Sequence, residues 1–175
     1  MYGINNHYHN QPLPNQEEGP KYVGAHQDLM YWGLYPHKEV TAWLALDRAG
    51  PLNGSLCFLP GSHTDGLMDH MQGDRENNIL QENQDIPLTG EEIARLVQSD
   101  LQPGQASLHD GLMVHLSPPN MSNERRAGLQ MAFVTPEVKL LEQTYTNKYH
   151  EEWRLPVLVR GKDDYGRLEF VKTVQ

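Results

Sequence analysis

The apolar residues of this chain come in short runs, each soon cut by Gly, Pro or Asn, and that texture suits strands joined by turns better than long helices. Val40-Thr41-Ala42-Trp43-Leu44-Ala45-Leu46 reads as a buried strand. Gly50-Pro51-Leu52-Asn53-Gly54 follows, where the Asn-Gly pair suits a tight turn with positive φ, and then Ser55 to Leu59, so the expectation is a hairpin. Gln105 to Leu108, Leu112 to Leu116 and Ala127 to Thr135 read as further strands, as do Tyr8 to Gln11 and Tyr22 to Asp28. One helix has a start signal. Thr89-Gly90-Glu91-Glu92 has capping-box form, and Ile93, Leu96 and Val97 then share a face at helical spacing. Lys139 to Arg154 is a candidate short helix and Leu155 to Arg160 a last strand. Many short strands with few helices predict a mainly β, cupin-like jelly-roll barrel.

At 175 residues the chain is long enough to bury one real core, and a second full domain would be crowded. We expect the barrel over residues 1–136. A long polar connection at 64–103 carries the helix and packs over one end, and a C-terminal extension at 137–175 packs on or closes the barrel. A net charge of -9 leaves no basic footprint for a phosphate backbone, and no apolar run approaches the length of a membrane span. Nucleic acid and bilayer are therefore not expected partners. The first residues lack the basic and apolar regions of a secretion signal, and the single Cys57 cannot form an internal disulfide, which points to a reducing, cytoplasmic setting.

The chemistry concentrates in two places. On a strand, residues two apart face the same way, so His26 and Asp28 can reach one ion while Gln27 turns aside. With one more imidazole they make the two-His, one-carboxylate set that leaves positions open on a non-haem Fe(II). Such a pair arises easily by chance, and a second copy stands at His63-Thr64-Asp65; that copy follows the Pro60-Gly61-Ser62 turn, so its side chains need not share a face. His109 and His115 compete for the third position, with Asp110-Gly111 as a bend between them. His115, inside the apolar run Leu112 to Leu116, is the more surprising imidazole and is preferred. His7 and His9 offer a rival start to a cupin-type metal site, although the acidic residue such a site wants is missing nearby. Downstream, Ser117 lies two past His115. Arg126, Gly128, Gln130 and Ala132 form one face of the next strand, opposite Ala127, Leu129, Met131 and Phe133. The first face suits a cavity lining and the second suits packing. An Arg fork beside a hydroxyl is a good receptor for a carboxylate.

In this order the motifs resemble the phytanoyl-CoA dioxygenase family of Fe(II)- and 2-oxoglutarate-dependent oxygenases. The resemblance runs over His26-Gln27-Asp28 with Trp32, Asn53-Gly54-Ser55-Leu56, Leu59-Pro60-Gly61-Ser62-His63, and Gly104 to His109. It continues from His115-Leu116-Ser117-Pro118-Pro119-Asn120 to Arg126, and Leu158 to Asp163 resembles the family's tail. It implies a double-stranded β-helix with iron on His26, Asp28 and His115. The distal carboxylate of 2-oxoglutarate would be held by Arg126 and Ser117, with Trp32, Gln11 and Lys21 bordering the co-substrate pocket. The Pro-Gly-Ser-His turn would be architectural.

Two departures stand out. Leu116 replaces the Gly that usually follows the distal His. The metal motif arrives after only 25 residues, so the N-terminal helices that brace the major sheet in the family are expected to be missing, and a second subunit could cover that sheet. The implied reaction is hydroxylation of an aliphatic carbon of a small molecule by molecular oxygen, with release of succinate and CO2. Because Asp28 occupies the place that related halogenases leave open for chloride, hydroxylation is expected over chlorination. Tyr31, Tyr35 and Gln130 are candidate substrate-lining residues from their proximity to the motifs. The alternatives are a catalytically silent metal-binding barrel or subunit, and a cupin-like protein that uses His7 and His9.

Overall fold

The computed structural model describes residues 1–11, 20–72, 77–80, 84–140 and 157–167. Among the described residues, thirteen strands and two short helices follow one another as β1 (Tyr2–Gln11), β2 (Val23–His26), α1 (Asp28–Trp32), β3 (Leu34–Tyr35), β4 (Glu39–Ala45), β5 (Cys57–Phe58), β6 (Met71–Gln72), β7 (Gln84–Asp85), α2 (Gly90–Arg95), β8 (Val97–Gln98), β9 (Ala106–Asp110), β10 (His115–Ser117), β11 (Arg126–Val134), β12 (Lys139–Leu140) and β13 (Val157–Leu158). They form a five-stranded sheet in the order β13-β1-β11-β4-β9 and a four-stranded sheet in the order β2-β10-β5-β8, with two small pairs, β12-β3 and β6-β7. Every ladder between named strands is antiparallel. This is the jelly-roll of a double-stranded β-helix. No helix among the described residues is long and apolar enough to cross a membrane.

The central strands of the large sheet carry their polar residues inward. On β4, Glu39, Thr41, Trp43 and Ala45 are buried, and Thr41 and Trp43 stand opposite Ala132 and Gln130 of β11. Along β11, Ala132 and Val134 join the core cluster of Leu29, Trp32, Leu34 and Val138, whereas the alternate residues Leu129, Met131 and Phe133 are half-buried and belong to no core cluster. The apolar face of β11 is thus the outer face of the sheet. The opposite face points inward, where Arg126 and Gln130 line the cavity as the alternation of the strand suggests.

The expected hairpin between Val40 to Leu46 and Ser55 to Leu59 does not form. β4 pairs with β9 and β11, while β5 pairs with β8 and β10. The segment between them is a 3₁₀ turn, Pro51–Asn53, that carries the chain from one sheet to the other and ends at Gly54 with φ 77°. Gly54 allows a close approach of backbones, because a Cβ there would lie 2.5 Å from the Pro118 carbonyl oxygen, and the Gly54 carbonyl accepts from Ser117 Oγ at 2.6 Å.

The connection at 64–103 contributes to the core despite its polar composition. Ile86 packs with Ala25, Leu59 and Val114, and Gly24 leaves room for Asn78, whose Oδ1 accepts from the Gly24 amide. Helix α2 has the capping box expected from Thr89 and Glu92, but it ends at Arg95; of its expected apolar face Leu96 packs on the core while Ile93 and Val97 are exposed. Lys139 and Leu140, expected to begin a helix, form β12 against β3, and 141–156 lie outside the described residues. Val157–Leu158 forms β13 on β1, within the expected last strand.

Replacing Gly54 with Ala combines a positive φ with a backbone collision. We expect a loss of roughly 1–3 kcal/mol in urea unfolding, whereas Gly61→Ala, which also has positive φ but open space at its Cβ, should cost less. Equal losses would place the cost in φ alone.

Candidate metal centre

His26, Asp28 and His115 come together as a buried group whose ligand atoms all lie within 4.8 Å of one another. The expected route to that geometry is only half right. His26 ends β2, but Asp28 opens α1 rather than continuing the strand, so the chain bends between the two instead of alternating. Gln27 makes the bend rigid. Its fully buried side chain donates from Nε2 to the carbonyls of Gly66 and Leu112 and accepts from the Met68 amide, and its own amide donates to His70 Nε2. His115 arrives from β10 directly beside His26 in the ladder. The residues before it are a turn, not the expected strand: the Met113 amide donates to the Asp110 carbonyl and the Leu112 amide to Asp110 Oδ1. Ser62 of the Pro-Gly-Ser-His turn accepts from the Val114 amide at 2.8 Å, an architectural contact, and His63 and Asp65 are exposed.

The donor set suits a divalent ion. The Nδ1 atoms of His26 and His115 each lie 2.9 Å from a backbone carbonyl, of Gly24 and Met113 respectively. A carbonyl only accepts, so each Nδ1 carries the hydrogen and each Nε2 presents its lone pair. Both Nε2 atoms face Asp28 Oδ1, at 3.7 and 3.8 Å. Burial pushes the His115 imidazole well below its usual range, which keeps it a neutral ligand. Burial alone would push the Asp28 carboxyl up, but the imidazoles of His115, His109 and His26 outweigh it and hold the group well below the usual carboxylate range.

The second oxygen of Asp28 is fixed from the large sheet. Oδ2 accepts from Thr41 Oγ1 at 2.8 Å and from Gln130 Nε2 at 3.4 Å. Thr41 Oγ1 is also 2.8 Å from Glu39 Oε1. Burial, and then the nearby Asp28 charge, push the Glu39 carboxyl up to about 9, so at neutral pH Glu39 holds a proton. The protonated acid donates to Thr41, which leaves the single Thr41 hydrogen for Asp28. Gly111 packs directly on Glu39 Oε2, where no larger residue fits.

Arg126 lies in the same cavity as the His-Asp-His group. Its side chain is 3% exposed, its Nη2 donates to Ser117 Oγ at 2.9 Å, and its guanidinium lies 5.3 Å from the Trp43 ring centre. Burial pulls it down only to about 10, so it stays charged at neutral pH. Arg125 points elsewhere, into an exposed fork on Asp47 at 2.8 and 2.9 Å. Val23, His26, Trp43, Leu56, Ile79, His109, His115, Ser117, Arg126 and Gln130 line the cavity, so both sheets contribute.

Two expected site residues are placed elsewhere. Trp32 is in the core cluster with Leu29 and Val134, and Trp43 takes the cavity position. Two inward parity steps from Glu39 along β4 would have marked Trp43 once the sheet's polar interior was known. Tyr35 is exposed on β3, edge-on to His37. Tyr31 stands edge-on to His26, with ring centres 6.0 Å apart. Gln11 pairs with Arg126 in the β1-β11 ladder, and His9 and His7 with Gly128 and Gln130. Glu39, Thr41 and Trp43 had no sequence signal beyond an ordinary strand.

A family model described as phytanoyl-CoA dioxygenase (PhyH) matches residues 2–128. The chain belongs to this family. Among its relatives, a probable alpha-ketoglutarate-dependent hypophosphite dioxygenase of Stutzerimonas stutzeri is 30% identical over 144 residues, 77% of this chain and 47% of that protein. A methylphosphonate hydroxylase of Gimesia maris is 32% identical over 125 residues, 71% of this chain and 44% of the relative. The chain thus spans about half the length of these relatives. Among solved structures, the non-haem monooxygenase ThoJ in its apo form matches with a TM-score of 0.75 and 25% identity over 98% of this chain and 56% of that one. EvdO2 of Micromonospora carbonacea var. aurantiaca, complexed with 2-oxoglutarate, shares the fold at a TM-score of 0.64 and 22% identity, over 83% of this chain and 56% of that one.

Two measurements probe the centre. Ala at His26, Asp28 or His115 should lower Fe(II) or Mn(II) affinity by more than the ~10–100-fold typical of losing a supporting hydrogen bond, while His63→Ala leaves it unchanged; anaerobic metal titration decides. The second concerns Glu39, whose proton leaves near 4.5 in the unfolded chain and near about 9 in the folded one. The folded state holds the extra proton between those values, so this group's contribution to stability is full below the unfolded pKa and falls as pH rises through the window. Metal-free Glu39→Gln should therefore lose less stability than the parent between pH 4.5 and 9 in urea unfolding. Parallel pH profiles would show that Glu39 ionises normally.

Proposed function

We propose that this chain is the core of an Fe(II)- and 2-oxoglutarate-dependent dioxygenase that hydroxylates an aliphatic carbon of a small organic molecule. The observation that carries the reading is the meeting, in one cavity, of a buried His-Asp-His group and a buried Arg-Ser pair. When bound, iron and 2-oxoglutarate supply the oxidising power from molecular oxygen, with release of succinate and CO2.

The residues supply geometry. His26, Asp28 and His115 hold the ion through Nε2, Oδ1 and Nε2, and leave the remaining positions for co-substrate and oxygen. Thr41 and Gln130 stop the Asp28 carboxylate from turning its second oxygen inward. At the far end Arg126 and Ser117 receive the distal carboxylate of 2-oxoglutarate, with Trp43 against the guanidinium to exclude water. Leu56 and Val23 give the cavity apolar walls. Tyr31, beside His26, is the best-placed candidate substrate contact, and Gln130 can serve both roles. The Asp28 carboxylate occupies the coordination position that chloride would need, which supports hydroxylation over chlorination. The remaining expected partner is a second copy over the outer face of β11, supported by the half-buried Leu129, Met131 and Phe133.

The test is succinate formation by iron-loaded protein with 2-oxoglutarate and oxygen across a panel of small aliphatic substrates. Arg126→Ala should raise the apparent co-substrate constant by about 10–100-fold, the scale of a lost charge-assisted hydrogen bond, and Arg125→Ala by less than about twofold. No succinate under any condition, with metal bound, would favour a silent metal-binding barrel. Equal effects of the two substitutions would remove Arg126 from the co-substrate site.

A further inference from the structure

His109 is a buried imidazole that the scheme above leaves without work. It is 6% exposed, and neither ring nitrogen has a hydrogen-bond partner among the described residues. Leaving such a group unsatisfied is costly, and native structures keep few of them without a bound partner. The ring is not loose. β9 sets it opposite Thr41 in the ladder, and it packs against Phe58 and His115 with ring centres 5.2 and 4.6 Å away.

Two neighbours come close without satisfying either ring nitrogen by a hydrogen bond. Asp28 Oδ2 is 3.6 Å from His109 Nε2, beyond hydrogen-bond reach, and already accepts from Thr41 and Gln130. The ion-holding group comprises His26, Asp28 and His115 without His109. What remains is an occupant of the cavity, which His109 lines together with Arg126 and Ser117.

Resting on the reading above, we infer that His109 is a further binding residue for the 2-oxo acid. Its N–H donates to the carboxylate next to the oxo group, at the end of the molecule by the His-Asp-His group, while Arg126 and Ser117 take the far carboxylate. The cavity then recognises both ends of a dicarboxylic 2-oxo acid. An imidazole suits the near end, because one N–H is enough to satisfy an acceptor there.

The experiment is anaerobic calorimetric titration of 2-oxoglutarate into Mn(II)-loaded protein, for the parent, His109→Phe and His109→Met. Both variants keep a side chain of similar bulk and lack the N–H, so either one suffices if the other does not fold. We expect Mn(II) affinity within about twofold of the parent and 2-oxoglutarate affinity lower by about tenfold or more. Either Asn or Gln at this position, whose amide nitrogens stand near Nδ1 and Nε2 respectively, should recover part of the loss. Metal-free His109→Phe should melt no lower than the parent, since it removes an unsatisfied polar group; a purely structural role for His109 predicts lower melting and unchanged binding. Unchanged 2-oxoglutarate affinity with metal intact overturns the inference and leaves the proposed function standing. A tenfold fall in Mn(II) affinity overturns it by making His109 part of the metal site. Failure of the metal-loaded parent to take up 2-oxoglutarate overturns the functional reading and this inference with it.

Discussion

A carboxylate charge held inside a barrel is the constraint on which this structure depends. Burying Asp28 would drive it neutral unless its surroundings favour the ionised form, because desolvation of an isolated charge is far more costly than any one hydrogen bond can offset. The Thr41 and Gln130 donors on its Oδ2 side provide part of that surrounding, and on its Oδ1 side the lone pairs of the His26 and His115 Nε2 atoms complete it only with a cation held between them. The two sides come from different sheets: His26 and His115 from β2 and β10, Thr41 and Gln130 from β4 and β11. The charge is therefore satisfied only when the sheets are closed on each other. Folding and ligand geometry are one event here.

The protonated Glu39 extends the same logic one layer out. A second carboxylate so near Asp28 cannot also ionise cheaply, and by keeping its proton it becomes a donor, which orders the hydroxyl of Thr41. The Asp28 carboxylate is then left with one oxygen committed to the protein and one facing the imidazoles. At the other end of the cavity the Arg126 guanidinium is kept charged but poorly solvated, between Ser117 and the Trp43 ring. Gly128 makes that arrangement possible, since any Cβ there would run into Trp43. An anion entering this space would regain for Arg126 the interaction that burial removed.

Several loops act as fasteners for these groups. Gln27 ties the bend between His26 and Asp28 to both the 66–68 segment and Leu112, and Asn120, buried, accepts from Ser122 and donates to the Glu124 carbonyl just before Arg126. The Asp47 fork on Arg125, with its bond to the Ala127 amide, fixes the start of β11 and so the direction of Arg126. Arg125 thus has a structural use that explains why two adjacent arginines diverge.

The sequence by itself determined the family, the jelly-roll texture, and the pairing of His26 with Asp28 and of Ser117 with Arg126, because these rest on local order along the chain. Short apolar runs, the Asn53-Gly54 turn with its positive φ and the Thr89 capping box are likewise local. Tertiary structure decided what depends on which sheet a strand joins. The Val40 to Leu59 region reads as a hairpin until Gly54 is seen to carry the chain across to the other sheet, and Trp32 and Trp43 exchange roles because α1 turns one into the core while strand parity turns the other into the cavity. The two faces of β11 are legible in its alternation, and closure of the barrel puts the polar one against the cavity. His109 and His115 are six residues apart and equally buried; only the turn at Asp110 to Met113, which breaks the strand between them, sends one to the ligand group and the other to the cavity wall.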